Sequence, residues 1–198
     1  MSSNNSKWRW NRKKYFSTKP METGSFWEIV DRIRIDFVAD DSLSQQNIDA
    51  MELRYFAELE NLDPYKITAF LMRVGIEISQ LNTFDFFAIY NVIEGWESLD
   101  GFYEFQNWVI TLGSYAFVQI LADPDKISEY AYVPGDRLCA FDFKIGERII
   151  EKKTNTSPDL PGTPPDSRIR GVRHEIAEST FSQKFPNVWK RFWDLEAK

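Results

Sequence analysis

The chain has 198 residues, 43% of them hydrophobic and 16% aromatic, which suits one domain able to bury roughly 70% of its unfolded surface without staples. A single cysteine, Cys139, excludes a disulfide framework and a cysteine-based zinc site, and a single histidine, His174, excludes a multi-histidine metal centre. Net charge is −6, but the first 21 residues hold Lys7, Arg9, Arg12, Lys13, Lys14 and Lys19 with no acid, which leaves −12 on the rest.

Residues 1–22 read as an extended arm that mixes cations with Trp8, Trp10, Tyr15 and Phe16, expected to be flexible until bound. Residues 23–198 read as the folded domain. Ser25 with Glu28 has the spacing of a capping box, and Phe26, Trp27, Ile29, Val30, Ile33 and Phe37 follow at helical intervals. Ile48, Met51, Tyr55, Leu59 and Leu62 define one face of a second helix. Asp63-Pro64 has the cap-and-proline form that opens a third, carrying Ile67, Phe70, Leu71, Val74, Ile76 and Ile78. Thr83 to Glu94 is a fourth, ended by Gly95. Phe84, Phe86, Phe87 and Tyr90 cannot all share one side of it, so they read as core filling or as contact surface.

Leu99-Asp100-Gly101 reads as a turn, and Phe102, Phe105, Trp108, Val109 and Leu112 as the next helical face. Phe105 to Ala122 is the longest uncharged run. Polar residues interrupt it and it falls short of the ~20 apolar residues of a membrane span, so it reads as a buried helix or helix pair divided at Gly113. Asp123-Pro124-Asp125 restarts the chain, Pro134-Gly135-Asp136 punctuates it, and Leu138 to Ile150 looks helical. Four prolines and Gly162 make residues 153–170 a surface loop of polyproline character. Phe185 to Phe192 closes the chain. No stretch alternates convincingly as a strand. The expectation is therefore a mainly α, single compact multi-helix domain with a basic N-terminal arm and a proline-rich loop.

Residues 1–25 hold no apolar run of signal-peptide length, and with one thiol the chain reads as cytoplasmic. The basic, serine-bearing tail also fits an organelle transit peptide, although those are usually amphipathic helices.

Several of these segments carry a likeness. Phe26-Trp27, the stretch Gly95-Trp96-Glu97-Ser98-Leu99-Asp100-Gly101-Phe102, then Phe105-Gln106-Asn107-Trp108-Val109-Ile110, Gly113, Asp123-Pro124-Asp125 and the closing Phe185-Pro186-Asn187-Val188-Trp189-Lys190-Arg191-Phe192 resemble the bacterial family called domain of unknown function 4240. The likeness spans about residues 26–193. It implies a mainly helical protein of no established activity, found alone or in molybdate-regulator-like proteins beside WGR modules. Two departures stand out. The family's Ser-Asp-Asp-Gly-Phe is Ser98-Leu99-Asp100-Gly101-Phe102 here, and its Phe-Arg before the tryptophan is Phe105-Gln106. An acid pair with an arginine would be incomplete in this chain.

Asp100 and Glu104 stand four apart on one helix face, where paired carboxylates can do acid–base work or bind a cation. Glu94 and Glu97 can join them. They also simply suit a helix N-terminus. His174 beside Glu175 is the one candidate imidazole base, with no nucleophile motif around it. Arg168, Arg170 and Arg173 can clamp a phosphate or carboxylate, or pair with the acidic body. Trp8, Arg9, Trp10, Arg12, Lys13 and Lys14 can grip a partner, and only through them does nucleic acid or an anionic membrane come into reach. Trp96 and Tyr103 are candidate aromatic contacts.

The first expectation is a non-enzymatic binding or regulatory protein acting through protein–protein contacts, with no cofactor and no metal centre. One alternative is a hydrolytic or nucleic-acid-directed enzyme built on Asp100, Glu104 and His174. Another is a subunit of a larger complex anchored by its arm.

Overall fold

The structure is a computed structural model that describes residues 18–34, 45–95, 97–130, 143–156, 168–173 and 178–193. It is helical: α1 (Thr23–Arg34), α2 (Gln45–Glu60), α3 (Pro64–Leu81), α4 (Phe84–Glu94), α5 (Leu99–Thr111), α6 (Gly113–Ala122), a 3-10 turn (Pro124–Glu129), α7 (Phe143–Thr154), α8 (Glu178–Lys184) and α9 (Pro186–Phe192). No strand occurs among the described residues; one isolated parallel bridge joins Thr83 to Arg170.

Local signals set most of the boundaries. The Asp63 carboxylate accepts from the N–H groups of Tyr65 and Lys66, both at 3.0 Å, and Pro64 takes the first helical position. Thr83 caps α4, and Gly95 ends it in the left-handed conformation at φ 76°. Helix α1 departs from expectation by starting at Thr23, ahead of Ser25. The N–H of Met21 donates to the Ala69 carbonyl at 2.8 Å, and Nε of Arg73 donates to the Met21 carbonyl at 2.7 Å. The root of the arm is thereby fixed on α3, and helical turns begin directly after it. Leu99-Asp100-Gly101 is likewise the first turn of α5 and not a turn before it, because the Ser98 hydroxyl accepts from the Gly101 N–H at 3.1 Å.

Helix α3 is central and packs against α1, α5 and α7. Gly146 of α7 allows a close approach to it, since a Cβ there would lie 2.8 Å from the Leu71 side chain. Antiparallel to α1 runs α6, with Trp27 and Phe117 rings 4.8 Å apart. Phe26 also meets Phe70 at 5.0 Å, so α1 joins α6 to α3. In α4, every residue from Phe86 to Ile93 is buried. That resolves its surplus aromatics as core: Phe87 meets Phe102 edge-on at 5.1 Å, and Tyr90 lies 5.7 Å from both Phe102 and Phe105. Ile76, expected in the core, is 37% exposed, because the face of α3 that packs runs through Phe70, Val74, Ile78 and Leu81.

Two helices without a side-chain cap nearby in sequence, α6 and α9, are capped from a distance. Helix α6 begins at Gly113 with no side-chain cap of its own. Asp31 of α1 supplies one, accepting from the Ser114 N–H at 2.8 Å and its hydroxyl at 2.6 Å. Gly113 has φ 87°, and a Cβ there would stand 2.8 Å from Asp31 Oδ1, so glycine is required for both conformation and space. Asp125 of the 3-10 turn does the same for α9. Its buried carboxylate accepts from the N–H groups of Asn187 at 3.1 Å and Val188 at 2.9 Å, and from Asn187 Nδ2 at 2.6 Å. At the opposite helix pole, Lys153 donates to the carbonyls of Glu60 and Leu62 after α2. Cations favour that pole.

Candidate functional site

The α4–α5 hairpin carries the carboxylate pair expected from sequence, Asp100 and Glu104, together with Tyr103. At its open end, Asn91 Nδ2 donates to Glu97 at 3.4 Å, and Arg173 Nη2 lies 3.1 Å from both Glu97 carboxylate oxygens. The Arg173–Glu97 pair is mostly solvent-exposed, so it contributes little to stability. Asp100 and Glu104 are exposed, and Asp100 lies in the first turn of α5, where negative charge complements the helix start. Among the described residues no three Asp, Glu, His or Cys side chains come together as metal ligands.

Tyr90 lies behind this end. Its hydroxyl is buried and points at Gly101, where a Cβ would approach to 2.2 Å. Burial pushes the Tyr90 phenol above its ordinary range, and Glu94 and Glu104 push it further. Tyr103 is half-buried, packs on the core, and accepts at its carbonyl from Asn107 Nδ2 at 3.0 Å. Trp96 and His174 lie outside the described residues, as do Cys139 and the arm residues Trp8, Arg9, Trp10, Arg12, Lys13 and Lys14.

The three candidate anion-binding arginines sit beside α3 and α4. Arg170 Nη2 donates to the carbonyls of Ser79 at 2.6 Å and Gln80 at 3.1 Å, closing the C-terminal end of α3. Its backbone bridges Asn82 and Phe84, so the end of the expected loop is a packed element. The helix before that loop also runs on to Thr154. Asn82 Nδ2 reaches the Arg168 carbonyl at 3.1 Å. Arg173 is the partner of Glu97 described above. The guanidiniums of Arg170 and Arg173 are thus bound to acceptors of the chain itself.

A different face is open. The uncharged run Phe105–Ala122 is the expected helix pair, but α6 is not wholly buried. Ala116, Phe117 and Ile120 face inward, while Tyr115 is 77% and Val118 58% exposed, one turn apart on the outer side. The sequence hid this face because the run carries no charge and apolar residues fall on both sides of α6, so periodicity gave little contrast between them. Among the described residues no helix is long and apolar enough to cross a membrane.

No curated protein and no solved structure matches the chain. A family model described as "Protein of unknown function (DUF4240)" matches residues 21–146. The match takes in α1 to α6, the hairpin motif and Asp123-Pro124-Asp125, and stops inside α7, so α8 and α9 lie beyond it. On that match, together with the helical architecture it spans, the chain belongs to the DUF4240 family of proteins of unknown function.

Proposed function

We propose that the protein is a non-enzymatic binding or regulatory protein that works through protein–protein contacts, with the outer face of α6 as its contact surface. The observation that carries this reading is the exposed Tyr115–Val118 ridge on a helix whose other side is locked into the core. Apolar side chains held on a rigid element lose little freedom on binding and release water when covered. Tyrosine is enriched among residues that anchor interfaces. The charged side chains add support in another way: Asp31, Asp125, Lys153 and Arg170 serve helix ends. The arm residues Trp8, Arg9, Trp10, Arg12, Lys13 and Lys14 join the proposal through their alternation of cation and aromatic ring, and Trp96 and Tyr103 as further aromatic contacts. A cytoplasmic setting belongs to the same proposal, supported by one cysteine in 198 residues.

A photo-crosslinking phenylalanine analogue placed at position 118 of the full chain, in its native cells, tests the reading. The control position is Leu99, which is 69% exposed at the hairpin end. The expected result is an adduct of discrete mass from position 118 and none from position 99. Adducts from 99 alone, or from neither, would overturn the assignment.

A further inference from the structure

A run of polar contacts ties the root of the arm to the interior of α3. The N–H of Met21 donates to the Ala69 carbonyl at 2.8 Å, and Arg73 Nε donates to the Met21 carbonyl at 2.7 Å. Arg73 Nη1 lies 3.6 Å from one oxygen of Glu77, and Gln80 Nε2 donates to the other. The Arg73 side chain is 18% exposed and that of Glu77 only 3%. Val74, Ile78 and Leu81, neighbours of Glu77 along the helix, are buried as well.

Burial decides how this carboxyl behaves. A carboxylate out of water stays ionised only as far as its partners replace the lost hydration. Here one cation at 3.6 Å and one neutral amide do so. Burial pushes Glu77 above the ordinary carboxylate range, more than Arg73 and Gln80 pull it down. The arm root presents an uncharged group to this run, the Met21 carbonyl. The charged residues of the helices packed on α3 engage elsewhere or reach solvent. On α1, Glu28 is exposed, Asp31 holds Ser114, Arg32 pairs with Glu58 and Arg34 lies beside Gly113. On α5, Asp100 and Glu104 are exposed. On α7, Lys152 and Lys153 reach the end of α2, while Lys144, Glu147, Arg148 and Glu151 are not buried.

We infer that Gln80, Glu77 and Arg73 form a proton-sensitive latch on the root of the N-terminal arm: with Glu77 ionised the latch holds Met21, and with Glu77 protonated it lets the root go. The ionised carboxylate, itself held by Gln80, keeps the Arg73 guanidinium in place with Nε on the Met21 carbonyl. A proton on Glu77 removes the counter-charge, and a guanidinium without one gains by turning to water. When Arg73 leaves, Glu77 loses a partner that lowers it while remaining in the packed face of α3. The open form therefore holds its proton more tightly than the closed form, so falling pH favours opening, at a pH above the ordinary carboxylate range. The latch stands apart from the α6 contact face, and its readout is the backbone at Met21, not a partner.

The test follows amide exchange of the isotope-labelled full chain, corrected for its intrinsic pH dependence, together with the Glu77 carboxyl carbon signal, from about pH 8 down to about pH 5. Protection of the Met21 amide should fall at least roughly threefold in step with protonation of Glu77, while the Val74 amide inside α3 keeps its protection. In a folded Glu77→Gln chain, Met21 protection should be low and independent of pH. Steady Met21 protection while Glu77 takes up its proton overturns the latch, and so does a Glu77 signal that stays ionised throughout. Equal loss at Val74 overturns it too, because the whole helix is then opening. None of these three results needs a variant to fold. Wild-type Met21 protection in the Glu77→Gln chain is equally fatal.

Discussion

Replacing Asp125 with alanine is expected to cost about 2–4 kcal/mol and to loosen the C-terminal helix from the body. The carboxylate is buried and takes hydrogen bonds from two backbone N–H groups and one side-chain amide at the start of α9. Its loss leaves those donors without an acceptor where water has little access. Phe185, at the cap position of α9, has no side-chain oxygen to replace it. Asp125→Asn should fall between wild type and alanine, since one carbonyl oxygen still accepts but without charge. Chemical denaturation gives the energy, and amide exchange at Val188 gives the location. A cost below about 0.5 kcal/mol, with Val188 still protected, would contradict the capping role.

Gly101→Ala should be the next most damaging substitution, at about 1–3 kcal/mol. A methyl group there would meet the Tyr90 hydroxyl at 2.2 Å, while the ring carbon behind it lies at 3.1 Å. The obstacle is one oxygen atom, so the cost should be reversible. Tyr90→Phe alone should be nearly neutral, because the hydroxyl is buried without a well-formed hydrogen bond. Combined with Gly101→Ala it should recover most of the lost stability. Thermal unfolding of the four chains reads the coupling directly. Strictly additive effects would show that Gly101 is needed for some other reason.

Both substitutions fall in segments through which the sequence resembles its family, and the structure shows what those segments hold together. Asp123-Pro124-Asp125 and the closing Phe185–Phe192 form one joint through Asp125. Gly95 to Phe102 turns the chain, caps α5 at Ser98 and makes room for Tyr90.

Some of this was legible and some was not, for a physical reason. Asp63, Thr83 and Gly95 act on helix ends within a few residues of themselves, so spacing alone exposes them. Asp31 reaches Ser114 across 83 positions, Asp125 reaches Asn187 across 62, and Arg170 reaches Ser79 across 91. No local pattern encodes such pairs. Asp100 and Glu104 were visible as a pair at helical spacing, but spacing does not separate chemistry from a favourable place at a helix start.

The most direct measurement is competition for the adduct formed at position 118. Unlabelled chains are added in excess, after melting curves establish that each is folded. Wild-type chain and a chain carrying Asp100→Asn and Glu104→Gln should both suppress the adduct, whereas one carrying Tyr115→Ser and Val118→Ser should not. Full suppression by the Tyr115→Ser, Val118→Ser chain, or failure of the Asp100→Asn, Glu104→Gln chain to suppress, would contradict the account and return the function to the hairpin end.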